Sequence, residues 1–254
     1  VFPIRQTLGA WTAAEQGAIF FENIANENTT SCRHLIIHEV MGRNCGWLTG
    51  ATAAAYRKRL DAWSFCPDLL LDQNRWDVDA VWVPEMDIEL EAEVARLSKA
   101  MDEKDSVNVF LSEGAGLEAI LREKEAAGEE VQYDAFGHPR LDTLNPGKWF
   151  AEQLKDKLDA DKVLVQKSGY FARSAAPNQQ DLTLIKQSAA AAAGYALEGQ
   201  SGVAGLDEDA GDEMSCIAFP RIRGGKPFDI DEPWFGKMLE EIGQPKGKPI
   251  TVAH

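Results

Sequence analysis

Cysteine is scarce and unpaired in this chain. Cys32, Cys45, Cys66 and Cys216 show neither C-x-x-C spacing nor a paired framework. That excludes a disulfide scaffold and points to a reduced, intracellular compartment, with a cytoplasmic location expected. Long apolar runs are absent as well. None approaches the roughly 20 residues of a membrane span, and the first residues lack the basic start and apolar core of a signal peptide. The four histidines, His34, His38, His138 and His254, have no H-E-x-x-H or other metal spacing, so no metal site is expected. No G-x-S-x-G stretch supports a serine hydrolase. Gly224-Gly225, between Arg223 and Lys226, lacks the spacing of a phosphate-cradling Walker loop.

Positive charge is in deficit too. The formal net charge is −15, which argues against nucleic acid, because a phosphate backbone needs a basic stripe. A phosphorylated metabolite is still compatible. Charges beyond roughly 8 Å are screened at physiological salt, so local arginines decide. Asp207-Glu208-Asp209 and Asp212-Glu213 read as a solvated acidic loop rather than a cation site.

What is present is an ordinary globular composition, 44% hydrophobic and 26% charged over 254 residues. That is material for one large domain or two small ones. Residues 11–27 have helical spacing, with Ala14, Gly17, Ala18, Phe21 and Ile24 on one face, and a polar turn, Asn28-Thr29-Thr30-Ser31, follows. Residues 35–40 read as a buried strand, 47–60 as a helix, 79–84 as a short strand, 88–102 as a helix and 107–111 as a strand. Leu69-Leu70-Leu71 is either a short strand or an insertion. A charged helix is predicted over 117–130, then an irregular hairpin or surface loop over 133–144 that carries Asp134, Phe136, Gly137, His138, Pro139, Arg140 and Asp142. A helix over 148–158, a strand over 162–166 and an Ala-rich helix over 181–197 complete the pattern. Asp181 and Gly199 are placed as caps of that last helix. Residues 202–211 read as an exposed loop, and the tail from Gly243 as irregular. Strands alternating with amphipathic helices predict an α/β fold: a mostly parallel, three-layer sheet with helices on both faces.

Three strand-end turns should gather along one edge of that sheet, around Arg43, Glu85 and Glu113. Ligands of such sheets sit off the carboxyl ends of the strands, beside helix N-termini. In Met41-Gly42-Arg43 the glycine allows close backbone approach, and the arginine either grips a phosphate or carboxylate or merely caps the turn. Glu85, after Pro84, either accepts hydrogen bonds from sugar hydroxyls or is a plain helix-start acid. In Lys167-Ser168-Gly169-Tyr170-Phe171-Ala172-Arg173 a phenol and a guanidinium share one turn. Arginine offers a planar fork to a phosphate and tyrosine can donate without adding charge. The bland alternative is a tyrosine at a core edge and an arginine in solvent.

Taken in order, Val40-Met41-Gly42-Arg43, Val83-Pro84-Glu85, Ser112-Glu113-Gly114-Ala115 and Gly169-Tyr170-Phe171-Ala172-Arg173 closely resemble the phosphofructokinase family over essentially the whole chain. Gly-Tyr-Phe-Ala-Arg resembles the pyrophosphate-dependent branch, where ATP-dependent relatives usually carry Gly-His-x-x-Arg. The stretch from Asp134 to Asp142 and Ser174-Ala175-Ala176-Pro177 resemble that branch as well.

The resemblance implies a phosphotransferase that moves a phosphoryl group from pyrophosphate to the 1-hydroxyl of fructose 6-phosphate, a glycolytic step. Magnesium would be the cofactor and a dimer or tetramer the assembly. It implies that Met41, Gly42 and Arg43 hold fructose 6-phosphate and that Glu85 takes sugar hydroxyls. Tyr170 and Arg173, with Lys167 as a weaker candidate, would take the 6-phosphate. Arg33 or His34 lies near a position where the family can supply a basic residue across a subunit interface.

The family's Gly-Gly-Asp donor loop and its Pro-Lys-Thr-Ile-Asp-Asn-Asp-like catalytic segment do not occur in this sequence. The chain, which starts without methionine at Val1-Phe2-Pro3-Ile4, therefore resembles such an enzyme from directly after its catalytic aspartates, and no catalytic residue is assigned to it. Two lobes follow by the same resemblance: residues 1–174 mainly binding fructose 6-phosphate, with an insertion at about 117–146, and residues 175–254 as crossover helices and tail. The alternatives are a sugar-phosphate-binding module without turnover, a non-catalytic subunit completed by a partner chain, and an ATP-dependent enzyme.

Overall fold

The computed structural model describes residues 1–69, 71–135, 137 and 139–250. The predicted roles of Leu70, Phe136, His138 and His254 therefore lie outside the described residues. The chain runs α1 (Ala10–Ala25), β1 (His34–Val40), α2 (Trp47–Leu60), β2 (Ala80–Trp82), α3 (Leu90–Lys104), β3 (Ser106–Ser112), α4 (Leu117–Ala126), α5 (Leu141–Leu144), α6 (Pro146–Lys155), β4 (Lys162–Lys167), α7 (Gly169–Arg173), α8 (Gln179–Leu197), β5 (Val203–Asp207), β6 (Glu213–Ile217) and α9 (Pro233–Glu241).

Four strands form a parallel sheet in the order β2-β3-β1-β4. The central pair, β1 and β3, is buried along its whole length. Strands covered on both faces favour near-continuous apolar runs, which is what Leu35-Ile36-Ile37 and Val109-Phe110-Leu111 supply. One face is covered by α1 and α2: Phe21 and Tyr56 meet His38 and Phe110 there. The other is covered by α3 and α6, where Trp82 packs on Phe150 and donates its indole N–H to Glu93. Each large side chain fully buried in this way contributes about 1.5–3 kcal/mol. The three-layer arrangement is the one the alternating pattern predicts.

His38 lies within the core without a hydrogen-bond partner at either ring nitrogen among the described residues. Burial alone drives its pKa down to about 3, so the ring is neutral and packs as an aromatic between Phe21 and Phe110.

Residues after 174 divide between two places. α8 packs on the antiparallel β5–β6 hairpin. Phe228, Ile230, Phe235, Met238 and Leu239 return to the core of the four-stranded sheet.

Several sequence expectations change. Residues 202–211 are not an exposed loop: Val203–Asp207 pairs with Glu213–Ile217 as a hairpin, and Asp207 is buried beneath the Arg221 guanidinium. Glycine and acid content hid a strand whose charged end is paired rather than solvated. The cap of α8 is Asn178, whose side chain accepts the Asp181 N–H. Pro67–Leu69 is a short 3-10 turn, and Cys66 bridges Leu71. The segment 133–144 contains a Tyr133–Pro139 bridge followed by α5. α9 was not anticipated, although Pro233 at its first turn is a helix-start signal. No helix of the described residues is long and apolar enough to cross a membrane.

Candidate functional site

The carboxyl ends of β1, β2 and β3 point the same way, so the turns after Val40, Trp82 and Ser112 share one sheet edge. The turn after β1 is shaped by Gly42, whose φ of 146° lies in the region that favours glycine. A Cβ there would stand 2.4 Å from the Cys45 carbonyl. The Gly42 N–H donates to Glu113 Oε1 at 3.1 Å, and the Ser112 hydroxyl donates to the Gly42 carbonyl at 2.6 Å. Both ends of the Gly42 peptide unit are thus held by the end of β3.

Two clefts flank this turn. One, of about 520 Å³, is bounded by Met41, Gly42, Trp47, Ala172 and Arg173, with residues 7–13 at the start of α1 as its opposite wall. The other, of about 600 Å³, is mostly apolar and is bounded by Arg43, Asn44, Met86, Ile88, Trp149 and Phe150. Residues 41–45 form the partition between them.

The seven residues proposed from sequence fall into distinct places. Met41, Gly42 and Arg173 meet in the first cleft, where Arg173 donates its Nε–H to the Met41 sulfur at 2.8 Å. Arg43 faces the second cleft and pairs with Asp134 at 3.3 Å. Lys167, at the end of β4, is engaged by Glu39 Oε1 and Asn145 Oδ1, each at 2.9 Å. Tyr170 stands in solvent, 87% exposed, on α7. Its turn is a short helix rather than a simple strand end, with Arg173 one turn further on.

Glu85 is buried, 3% exposed. Its carboxylate accepts the Gly46 N–H at 3.0 and 3.1 Å and the Phe228 N–H at 2.7 Å. Arg33 and His34 lie at the opposite edge of the sheet, at the start of β1. Arg33 binds Asp102 and the carbonyls of Leu158 and Asp159 there.

Two residues were not assigned from sequence. Glu113 was recognised only as part of a turn, yet it is the carboxylate that meets Gly42. Its signal was its place at the end of the strand neighbouring β1. Asp181 was read as a cap of its own helix. It is fully buried and instead accepts the N–H groups of Gly9 and Thr12 at the start of α1, with the Thr12 hydroxyl at 2.5 Å. No local signal reveals that a first-turn acid serves a neighbouring helix.

Comparison with known proteins identifies the family. The family profile described as phosphofructokinase matches residues 1–196. The chain is 58% identical over 254 residues to a protein of Methylomonas methanica named pyrophosphate–fructose 6-phosphate 1-phosphotransferase. It is 50% identical over 254 residues to a protein of the same name from Mastigamoeba balamuthi. In both alignments the whole chain is covered, and it spans 62% of the relative's length. Among solved structures, the pyrophosphate-dependent phosphofructokinase of Nitrosospira multiformis matches with a TM-score of 0.56 at 17% identity, covering 95% of this chain and 56% of that one. The corresponding enzyme of Marinobacter aquaeolei gives 0.53 at 18% identity, covering 96% and 58%. These two likenesses concern the fold. Because the family match runs from the first residue into α8, it takes in the whole four-stranded sheet and both walls of the first cleft, and the chain belongs to the phosphofructokinase family.

Proposed function

We propose that the first cleft takes fructose 6-phosphate and that the whole protein transfers a phosphoryl group to its 1-hydroxyl from pyrophosphate, as the names of its relatives state for them. The observation that carries the reading is the convergence of Met41, Gly42 and Arg173 on one cleft at the carboxyl edge of a parallel sheet. A guanidinium gives a phosphate two parallel hydrogen bonds. Charge-assisted bonds contribute about 1.5–3 kcal/mol each, while millimolar affinity needs only about 4 kcal/mol. Arg173 with one or two further donors is therefore enough to hold the ligand.

Within this reading Arg173 binds the 6-phosphate and Tyr170 is the second donor once its helix is covered. Arg43 adds charge from the other side of the partition, and Lys167 is the weaker cation because Glu39 neutralises it. Glu113, which already fixes Gly42, is the carboxylate best placed for a sugar hydroxyl. Residues 1–174 form the acceptor lobe, and the segment beyond them is shared.

Phosphoryl transfer relies on positioning and charge stabilisation, with a group to take the hydroxyl proton. That group is not assigned to a residue of this chain. Magnesium is expected to accompany pyrophosphate. Among the described residues no three His, Cys, Asp or Glu side chains gather as a metal site. A cytoplasmic location and a homo-oligomer belong to the same proposal.

Calorimetric titration with fructose 6-phosphate, followed by magnesium pyrophosphate and an assay for fructose 1,6-bisphosphate, tests it. Binding with no product marks an acceptor site without turnover, and absence of binding overturns the reading.

A further inference from the structure

Lys167 ends β4, directly in register with Glu39 of β1. The Glu39 carboxylate is buried and spans two partners. Its Oε1 pairs with the Lys167 ammonium at 2.9 Å, and its Oε2 accepts the Gly147 N–H at 2.9 Å. The ammonium also donates to Asn145 Oδ1 at 2.9 Å. Lys167 is thus gripped from two sides, by β1 and by the residue before α6.

Residues 145–147 suit this grip. Asn145 turns with a φ of 48°, a left-handed conformation that asparagine tolerates better than most residues, and its side chain supplies an acceptor. Pro146 has no N–H, so Gly147 offers the first backbone donor of α6, and Glu39 takes it. A Cβ on Gly147 would stand 2.6 Å from Glu39 Oε2. Only glycine lets the helix start this close over the carboxylate.

The gripped end of β4 adjoins the first cleft. The Ser168 N–H donates to the Glu39 carbonyl at 3.3 Å, and a Cβ on Gly169 would lie 3.0 Å from Met41 Cγ. The Lys167 side chain remains 47% exposed. An ammonium has three N–H donors. Glu39 and Asn145 occupy two of them, which leaves one for a ligand. A cation already held in place gives up little rotamer freedom when the ligand arrives.

We infer that Glu39 and Asn145 are positioning residues: they hold the Lys167 ammonium at the carboxyl edge of the sheet, with one N–H left for the phosphate of the sugar phosphate. Glu39 tempers the charge of that ammonium and fixes its place. The inference rests on the sugar-phosphate reading given above.

Glu39→Asp keeps the charge but is one methylene too short to span both Lys167 and Gly147. Asn145→Gly keeps the left-handed turn and removes only the side-chain acceptor. Neither changes the net charge, so neither acts on an anion through charge alone. Fructose 6-phosphate and inorganic phosphate are titrated separately by calorimetry into the wild-type chain, both variants, Lys167→Met, and each variant combined with Lys167→Met. Lys167→Met is expected to weaken both ligands roughly tenfold, the scale of one charge-assisted bond. Each positioning variant is expected to weaken them roughly threefold and to add nothing in the Lys167→Met background. A loss that persists without Lys167 would show a purely structural role, and unchanged affinity would separate the grip from binding. Either result overturns the inference.

Amine acylation followed by mass spectrometry reads the same grip in the wild-type chain. Lys167 is expected to react more slowly than Lys99, whose side chain is 76% exposed, and more slowly still with inorganic phosphate present. Reaction as fast as that of Lys99, or a rate indifferent to phosphate, would refute the inference even if no variant folded. A wild-type chain that binds neither ligand would overturn the sugar-phosphate reading and the inference together. Binding retained with no response of Lys167 to phosphate would overturn the inference alone.

Discussion

The Asp181 carboxylate accepts the backbone N–H groups of Gly9, at 2.9 Å, and Thr12, at 2.7 Å, across the contact between α8 and α1. It thus caps the start of another helix. The capped residues form one wall of the cleft that also contains Met41 and Arg173, so a residue remote in sequence shapes the candidate site.

Replacing Asp181 with alanine leaves buried donors unpaired. Asp181→Ala is expected to destabilise the chain by about 2 kcal/mol, the cost of a lost cap with an uncompensated buried donor. Asp181→Asn should cost less, because it retains one oxygen. Urea unfolding midpoints at constant slope measure both.

Arg173 carries the phosphate in the proposed function. Arg173→Ala is expected to weaken fructose 6-phosphate binding by roughly tenfold or more, with the thermal midpoint nearly unchanged because the side chain is exposed. Calorimetry on the folded variant decides, and equal affinity would remove Arg173 from the site.

Asp134 pairs with Arg43 in the part-buried wall of the second cleft. Asp134→Asn removes a negative charge beside the guanidinium. Inorganic phosphate is expected to bind roughly threefold more tightly in that variant, with a larger gain at low ionic strength. A salt series of titrations tests this; unchanged affinity would show that Arg43 does not reach the anion.

His38 links stability to pH. Its pKa falls from 6.5 to about 3 on burial. Between those values the unfolded chain binds the proton and the folded chain does not, so this contribution is complete above pH 6.5 and declines as pH falls towards 3. The loss reaches about 2 kcal/mol at pH 5. The slope of unfolding free energy between pH 7 and 5 should be shallower in His38→Leu. Identical slopes would show that the imidazole is not the group responsible.

Much of this fold is legible in one dimension. The Ala-rich stretch after the first strand is α2, Trp47–Leu60, and β1 contains the Leu35-Ile36-Ile37 run. Burial on both faces leaves a parallel strand with few polar positions, and that signal is strong. β5 and β6 were missed because Val203–Asp207 includes glycine and ends on an acid. The pairing that makes it a strand comes from residues further along and from Arg221. Within the site, Met41, Gly42 and Arg173 line one cleft because each follows a strand of the same sheet.

Layer order and family are legible along the chain, since periodicity and ordered motifs are properties read in one direction. Which carboxylate meets which backbone group is set by tertiary contacts. Glu85 and Glu113 have the same chemistry and similar strand-end settings. Which one is enclosed by Gly46 and Phe228 and which stands at Gly42 depends on how separate segments close around each. Likewise Arg43 faces one cleft from the loop shaped by Gly42 and Gly46, whereas Arg173 reaches the other from α7, a separate element.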